Sequence, residues 1–116
     1  MPADLVRPAL RAILEAIDGI KVSTHDRTFD EFEAEWLLRH GVQRDIEIIS
    51  EAARRIPPEI RATQPHIPWV QIIGIGNVLW HEYHRVSDRA VWNVVQDRLH
   101  ELEAAIIAIE AALNEG

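Results

Sequence analysis

The chain has 116 residues, 47% of them apolar and 27% charged, which is a globular composition of ordinary size and excludes a disordered chain; one domain over residues 1–116 is expected. It has no cysteine, which excludes disulfides and thiolate zinc sites, and its formal net charge of −7 argues against general binding to duplex DNA. No apolar run reaches the roughly 18 residues of a membrane span, and Met1–Asp4 shows no signal-peptide pattern, so a soluble, cytoplasmic protein is expected.

In chain order, the apolar residues Leu10, Ile13, Leu14, Ile17 and Ile20 recur at spacings of three and four, which predicts a helix over Pro8–Lys21. Pro8 suits its first turn, although Asp4 could cap a longer start, and Gly19 weakens its last turn. Thr28 followed three residues later by Glu31 forms a capping box, opening a second helix with Phe29, Phe32, Trp36 and Leu37 on one side. Val42, Ile46, Ile49 and Ala53 continue the period, so one long helix to about Arg55 is expected, with Gly41 the place for a kink. Pro57 and Pro58 stop it. A short turn is expected over Glu59–Thr63. Pro68 then opens a helix from Trp69 to about His81. Ser87 caps a last helix running to about Leu113, with Asp88 in its first turn and Val91, Val94, Val95, Leu99, Leu102, Ile106 and Ile109 as its stripe. No segment has the period-two pattern of a strand. The expected fold is all-α, an antiparallel bundle of four to five helices.

The chemistry-bearing stretch is Gly74-Ile75-Gly76-Asn77-Val78-Leu79-Trp80-His81-Glu82-Tyr83. On a helix, Asn77 and His81 project about 40° apart and can meet one phosphate or hydroxyl. Tyr83 would lie about 200° from His81 on an unbroken helix, so it joins them only if the helix ends near His81. The same residues have plainer readings: a His at a helix end is commonly a surface or capping residue, and Tyr83 a packing residue. His81 and His84 are three apart and could suggest a metal pair, but no third ligand has an obvious spacing. Gly74 and Gly76 are spaced like a pair that lets another backbone approach. The other histidines, 25, 40, 66 and 100, read as solvated. Glu51 reads as a structural acid holding an Arg or as a residue of the polar face. The tryptophans at 36, 69, 80 and 92 read chiefly as core and interface area, with Trp80 also placed to stack on a base.

This stretch resembles the signature of the HepT-like family of the HEPN superfamily, in which Arg-Asn is followed by three residues and then His-x-Tyr. The similarity continues in Ile48-Ile49-Ser50-Glu51-Ala52-Ala53, Ile56-Pro57-Pro58, Pro68-Trp69 and Val91-Trp92 with Val94-Val95, and covers roughly residues 7 to 112. The resemblance implies a HEPN-type bundle that forms a homodimer with the His-bearing segments facing a shared cleft. It implies an endoribonuclease toxin of a toxin–antitoxin pair that cleaves RNA without a metal or other cofactor. It further implies a minimal nucleotidyltransferase antitoxin that silences the toxin by adenylylating the motif tyrosine. Carried over by position, Asn77, His81 and Tyr83 match, whereas the family's Arg falls at Gly76. The site implied is therefore His81 as acid and base, Asn77 as the orienting group, and Arg85, four residues on, as the local substitute for the phosphate contact. Arg54, Arg55 and Arg61 are alternative cations that the fold could bring in. The missing Arg also leaves open a catalytically degenerate module that dimerises and docks a nucleotidyltransferase without cutting RNA.

Overall fold

A computed structural model describes residues 3–82 and 87–115, and their side chains except at 3, 4 and 77–82. The described residues form seven α-helices and no strand: α1 (Ala3–Thr24), α2 (Phe29–Ala34), α3 (Trp36–Arg54), α4 (Pro58–Arg61), α5 (Trp69–Glu82), α6 (Asp88–Asp97) and α7 (Leu99–Glu115). This is the expected all-α bundle. No described helix is long and apolar enough to cross a membrane.

Helix α3 is the central member, packed between α1 and α5, while α7 covers the other side of α1. The stripe of α1 is buried from Val6 through Leu10, Ile13, Ile17 and Ile20, and meets Ile46, Ile49 and Ala53 of α3 and Ile106 and Ile109 of α7 in one core. Burial of Val6 extends α1 upstream of the expected start, so Pro8 lies inside the helix. Pairs between Arg7 and Asn114, Arg11 and Glu110, and Lys21 and Glu103 show that α1 and α7 run antiparallel. These exposed pairs fix register more than they add stability.

The capping box forms as expected: Thr28 Oγ1 accepts from the Glu31 amide (3.2 Å) and the Glu31 carboxylate accepts from the Thr28 amide (3.0 Å). The bond from the Thr28 amide, with the Thr28 hydroxyl second, holds the Glu31 carboxyl below its ordinary pKa range. The single long helix expected after it does not form. The chain breaks at Glu35, which is extended (φ −100°, ψ 104°), while Gly41 lies within α3. Two arginines stabilise the break. Arg27 pairs with the Glu35 carboxylate, and Arg39 donates to the Glu33 carbonyl at the open end of α2. Phe32 is buried against Trp92 of α6 with Phe29 beside it, whereas Trp36 and Leu37, expected on the same buried side, are 60% and 79% exposed.

Pro57 and Pro58 end α3 and begin α4 as expected. Ser87 caps α6 by accepting from the Ala90 amide (3.1 Å). The last expected helix divides at Arg98 into α6 and α7, yet keeps its buried stripe of Val91, Leu99, Leu102, Ile106 and Ile109. Among the described residues every buried side-chain nitrogen and oxygen has a hydrogen-bond partner.

Candidate functional site

The motif falls on α5 and the residues just after it. The helix passes through Asn77 and His81 and is described as far as Glu82. Tyr83, His84 and Arg85 lie outside the described residues. The position of the site is therefore read from the elements that bracket it.

Helix α5 is keyed to α3 by one side chain. Ser50 Oγ donates to the Ile73 carbonyl (2.6 Å) and accepts from the Gly76 amide (3.2 Å). The approach is so close that a Cβ on Gly76 would lie 2.4 Å from Ser50 Oγ and 2.5 Å from Ser50 Cβ. Gly76 is thus a notch for α3, one of the readings open from the sequence. Gly74 is not part of it, since a Cβ there would meet nothing within 4 Å. Position 76 faces α3, and the notch holds no space for an arginine side chain.

The two helices run antiparallel. Ser50 lies beside Gly76, and the indole N–H of Trp69, at the start of α5, donates to the carbonyls of Arg61 (3.0 Å) and Gln64 (3.1 Å) beyond the far end of α3. Counting 1.5 Å per residue from that contact, the backbone of Glu82 reaches the level of about residue 44 on α3. Arg54, Arg55 and Arg61 therefore belong to the wrong end. Arg61 is at the start of α5, roughly 18 Å along the helix axis from His81. Arg54 pairs instead with Glu51 at 3.3 Å, both about half exposed, so Glu51 belongs to the polar face. Arg61 Nε donates to the Ile56 carbonyl (3.0 Å).

A different arginine lies at the motif's end of α5. Arg39 Nε is 3.8 Å from Asp88 Oδ2, so α3 approaches both Gly76, before the motif, and Asp88, after it. Sequence reading missed Arg39 because its relation to the motif is set by the antiparallel packing. The only advance signal was the helical period that puts 39, 43 and 50 on one line of α3. Nearby, His40 is not simply solvated: its ring stacks on Trp36 with centroids 3.9 Å apart, and its Nδ1–H donates to the Trp36 carbonyl (2.8 Å).

Two other features are chemically plainer. Trp69 and Trp92 are buried at separate places, the former over α4 and the latter over α2, as core area. A groove of about 180 Å³ between α5 and α6–α7 is lined by Ile67, Pro68, Ile72, Ile75, Val94 and Leu102, with Arg98 and Glu101 among its few polar groups. Among the described residues no group of three His, Asp or Glu is placed to hold a metal, and the His81–His84 pair lies outside the described side chains.

Comparison with known proteins places these features in a family. The family described as "Ribonuclease HepT-like" matches residues 13–109. A Thermococcus cleftensis protein named "Probable ribonuclease HepT" is 32% identical over 94 residues, covering 81% of this chain and 86% of that protein. A provisionally named RNase of Methanocaldococcus jannaschii is 31% identical over 115 residues, covering 99% of each chain. A second protein of that organism, named as a gamma-glutamylcyclotransferase with a provisionally assigned RNase, is 34% identical over 110 residues; these cover 95% of this chain but only 50% of the relative. This chain therefore spans about half the length of that relative. No solved structure matches.

Proposed function

The chain belongs to the ribonuclease HepT-like family, and we propose that it is a metal-independent endoribonuclease, the toxin of a toxin–antitoxin pair. The observation that carries this reading is the motif on α5: in a chain of this family, one helix passes through both Asn77 and His81. Four residues apart on a helix, Asn77 and His81 share a face. Tyr83 joins them where the helix ends near His81.

Cleavage without a metal needs a base to take the 2′-hydroxyl proton, so that the 2′-oxygen attacks phosphorus, and an acid to protonate the departing 5′-oxygen. Imidazole serves both roles near neutral pH, its unperturbed pKa being about 6.5. In a homodimer one His81 from each chain supplies the two roles across a shared cleft. Asn77 orients the phosphate, and Arg85 is its cationic contact. Tyr83 is the hydroxyl that a minimal nucleotidyltransferase antitoxin would adenylylate. Single-domain organisation over residues 1–116 and a cytoplasmic place of action go with this reading.

A second reading has a specific observation behind it. The Ser50–Gly76 approach leaves no room for the family's Arg at position 76. A chain whose phosphate contact is gone could persist as a degenerate module that dimerises and docks the nucleotidyltransferase.

The deciding experiment is RNA cleavage by the purified chain and its His81→Ala variant, with and without EDTA. The expected result is cleavage that survives EDTA and is abolished by His81→Ala while the helical circular dichroism is kept. Undiminished cleavage by His81→Ala would overturn the mechanism. Loss in EDTA with rescue by zinc would transfer the chemistry to a His81–His84 metal site.

A further inference from the structure

The notch at Gly76 raises a question that the family pattern does not answer: which groups besides Arg85 carry positive charge to the RNA backbone. Helix α3 suggests one. Trp36, Arg39, Gln43 and Ser50 lie within about 60° of one another around the helix. At Ser50 this line is covered by α5 and only 2% exposed; at Gln43 and Arg39 it is half-buried; at Trp36 it is 60% exposed. The gradient runs with the register: Ser50 lies beside Gly76, and the line leads from there past the level of the His81 backbone. Its exposed end, at Trp36, therefore lies beyond the level of the His81 backbone on α3.

Resting on the ribonuclease reading above, we propose that the N-terminal half of α3 is the surface on which single-stranded RNA approaches His81. Arg39 is a contact for a phosphate flanking the one that Arg85 would hold, and Trp36 the platform for a base. The Arg39–Asp88 distance of 3.8 Å is longer than a hydrogen bond, so the guanidinium is not committed to that carboxylate. One of its five N–H groups is used on the Glu33 carbonyl, leaving others for phosphate oxygens. Glu35, the acid nearest in sequence to Trp36, is neutralised by Arg27. The indole has His40 stacked on one face, and its 60% exposure leaves the other for a nucleobase. An exposed aromatic ring next to an arginine is the usual combination for holding a single strand without reading its sequence.

The test measures binding of a labelled single-stranded RNA of mixed sequence to the full chain in a His81→Ala background. Trp36→Ala is expected to weaken binding about tenfold, with most of the loss recovered by Trp36→Phe. Arg39→Ala is expected to reduce the slope of log affinity against log salt by about 0.7, and Arg39→Lys to keep that slope. A purely structural strap between α2 and α6 would not move the salt slope. Trp36 is exposed enough to remove without unfolding, so its variants carry the test even if Arg39→Ala does not fold. Unchanged RNA affinity in Trp36→Ala together with an unchanged salt slope in Arg39→Ala would overturn the inference. So would variants that bind RNA normally but lose self-association or a nucleotidyltransferase partner, which would make the strip a protein interface. If His81→Ala abolishes cleavage while Trp36→Ala binds RNA normally, this inference alone fails; if His81→Ala leaves cleavage intact, the ribonuclease mechanism fails.

Discussion

Replacing Gly76 by alanine isolates the contact that seats α5 on α3. On an exposed helix the change would stabilise by about 1 kcal/mol, because alanine is the better helix former. Here the new Cβ meets Ser50 Oγ at 2.4 Å and Ser50 Cβ at 2.5 Å, and neither atom is the free end of a flexible chain. Overpacking of this kind costs about 1–3 kcal/mol, and displacing the hydroxyl also weakens its bond to the Ile73 carbonyl, about 1 kcal/mol more. The expected net effect is a loss of about 1–3 kcal/mol. Ser50→Gly removes both close atoms and leaves the Glu47 carbonyl as the next neighbour, 3.7 Å away and in ordinary contact. In that background Gly76→Ala should regain its helix-propensity benefit and stabilise by about 1 kcal/mol. The coupling in the double-mutant cycle is therefore about 2–4 kcal/mol, and the sign of the Gly76→Ala effect reverses. Urea unfolding followed by circular dichroism, at one fixed chain concentration for all four proteins, measures it. Equal effects of Gly76→Ala in the two backgrounds, or stabilisation in the presence of Ser50, would refute the assignment of Gly76 as a packing notch.

Two further outcomes are expected. Asp45, half-buried on α3 facing Gly19, is raised above the ordinary aspartate pKa by burial, with Arg44 opposing the shift. Its native form therefore holds a proton that the unfolded chain has released, so stability falls as pH rises from the ordinary value, about 3.9, through the raised one. Asp45→Asn should remove that decline and be the more stable protein at neutral pH; parallel stability–pH profiles for the two would count against burial as the cause. Tyr83→Phe, co-expressed with a minimal nucleotidyltransferase of the proposed antitoxin class, should remain unmodified by mass spectrometry while the unsubstituted chain gains one or more AMP groups; AMP on another residue would mean that Tyr83 is not the acceptor.

The parts of this fold that could be read from the sequence are those determined by neighbours in the chain. Thr28 and Glu31 cap each other, Pro57 lacks an amide proton, and Ser87 caps the amide of Ala90; each needs only residues a few positions away. The break at Glu35 was not legible, because it depends on Arg27 and Arg39 reaching the ends of α2 from outside it. Period alone put Trp36 and Leu37 on the buried side with Phe32, and the break rotates them out. For the site, the order and spacing of Asn77, His81 and Tyr83 were visible in one dimension. Gly76 had two readings that only its partner could separate, and Ser50 is 26 residues away. Arg39 was passed over for the same reason, since no local pattern links it to a motif on another helix.

The Ser50–Gly76 contact also works as a vertical index. Apolar surfaces such as Ile72, Ile73 and Ile75 can slide past a partner helix with little to choose between neighbouring positions. A hydroxyl that donates to one α5 carbonyl and accepts from an amide three residues on has only one resting height. Moving α5 by one turn in either direction would bring Ile72 or Trp80 to the notch in place of Gly76, and neither side chain fits a space that rejects a methyl group. The height of His81 above the N-terminal half of α3 is consequently set by a small residue with no part in the chemistry. Sequence drift at position 50 toward anything larger than serine would shift the whole motif along α3 before it touched a single motif residue.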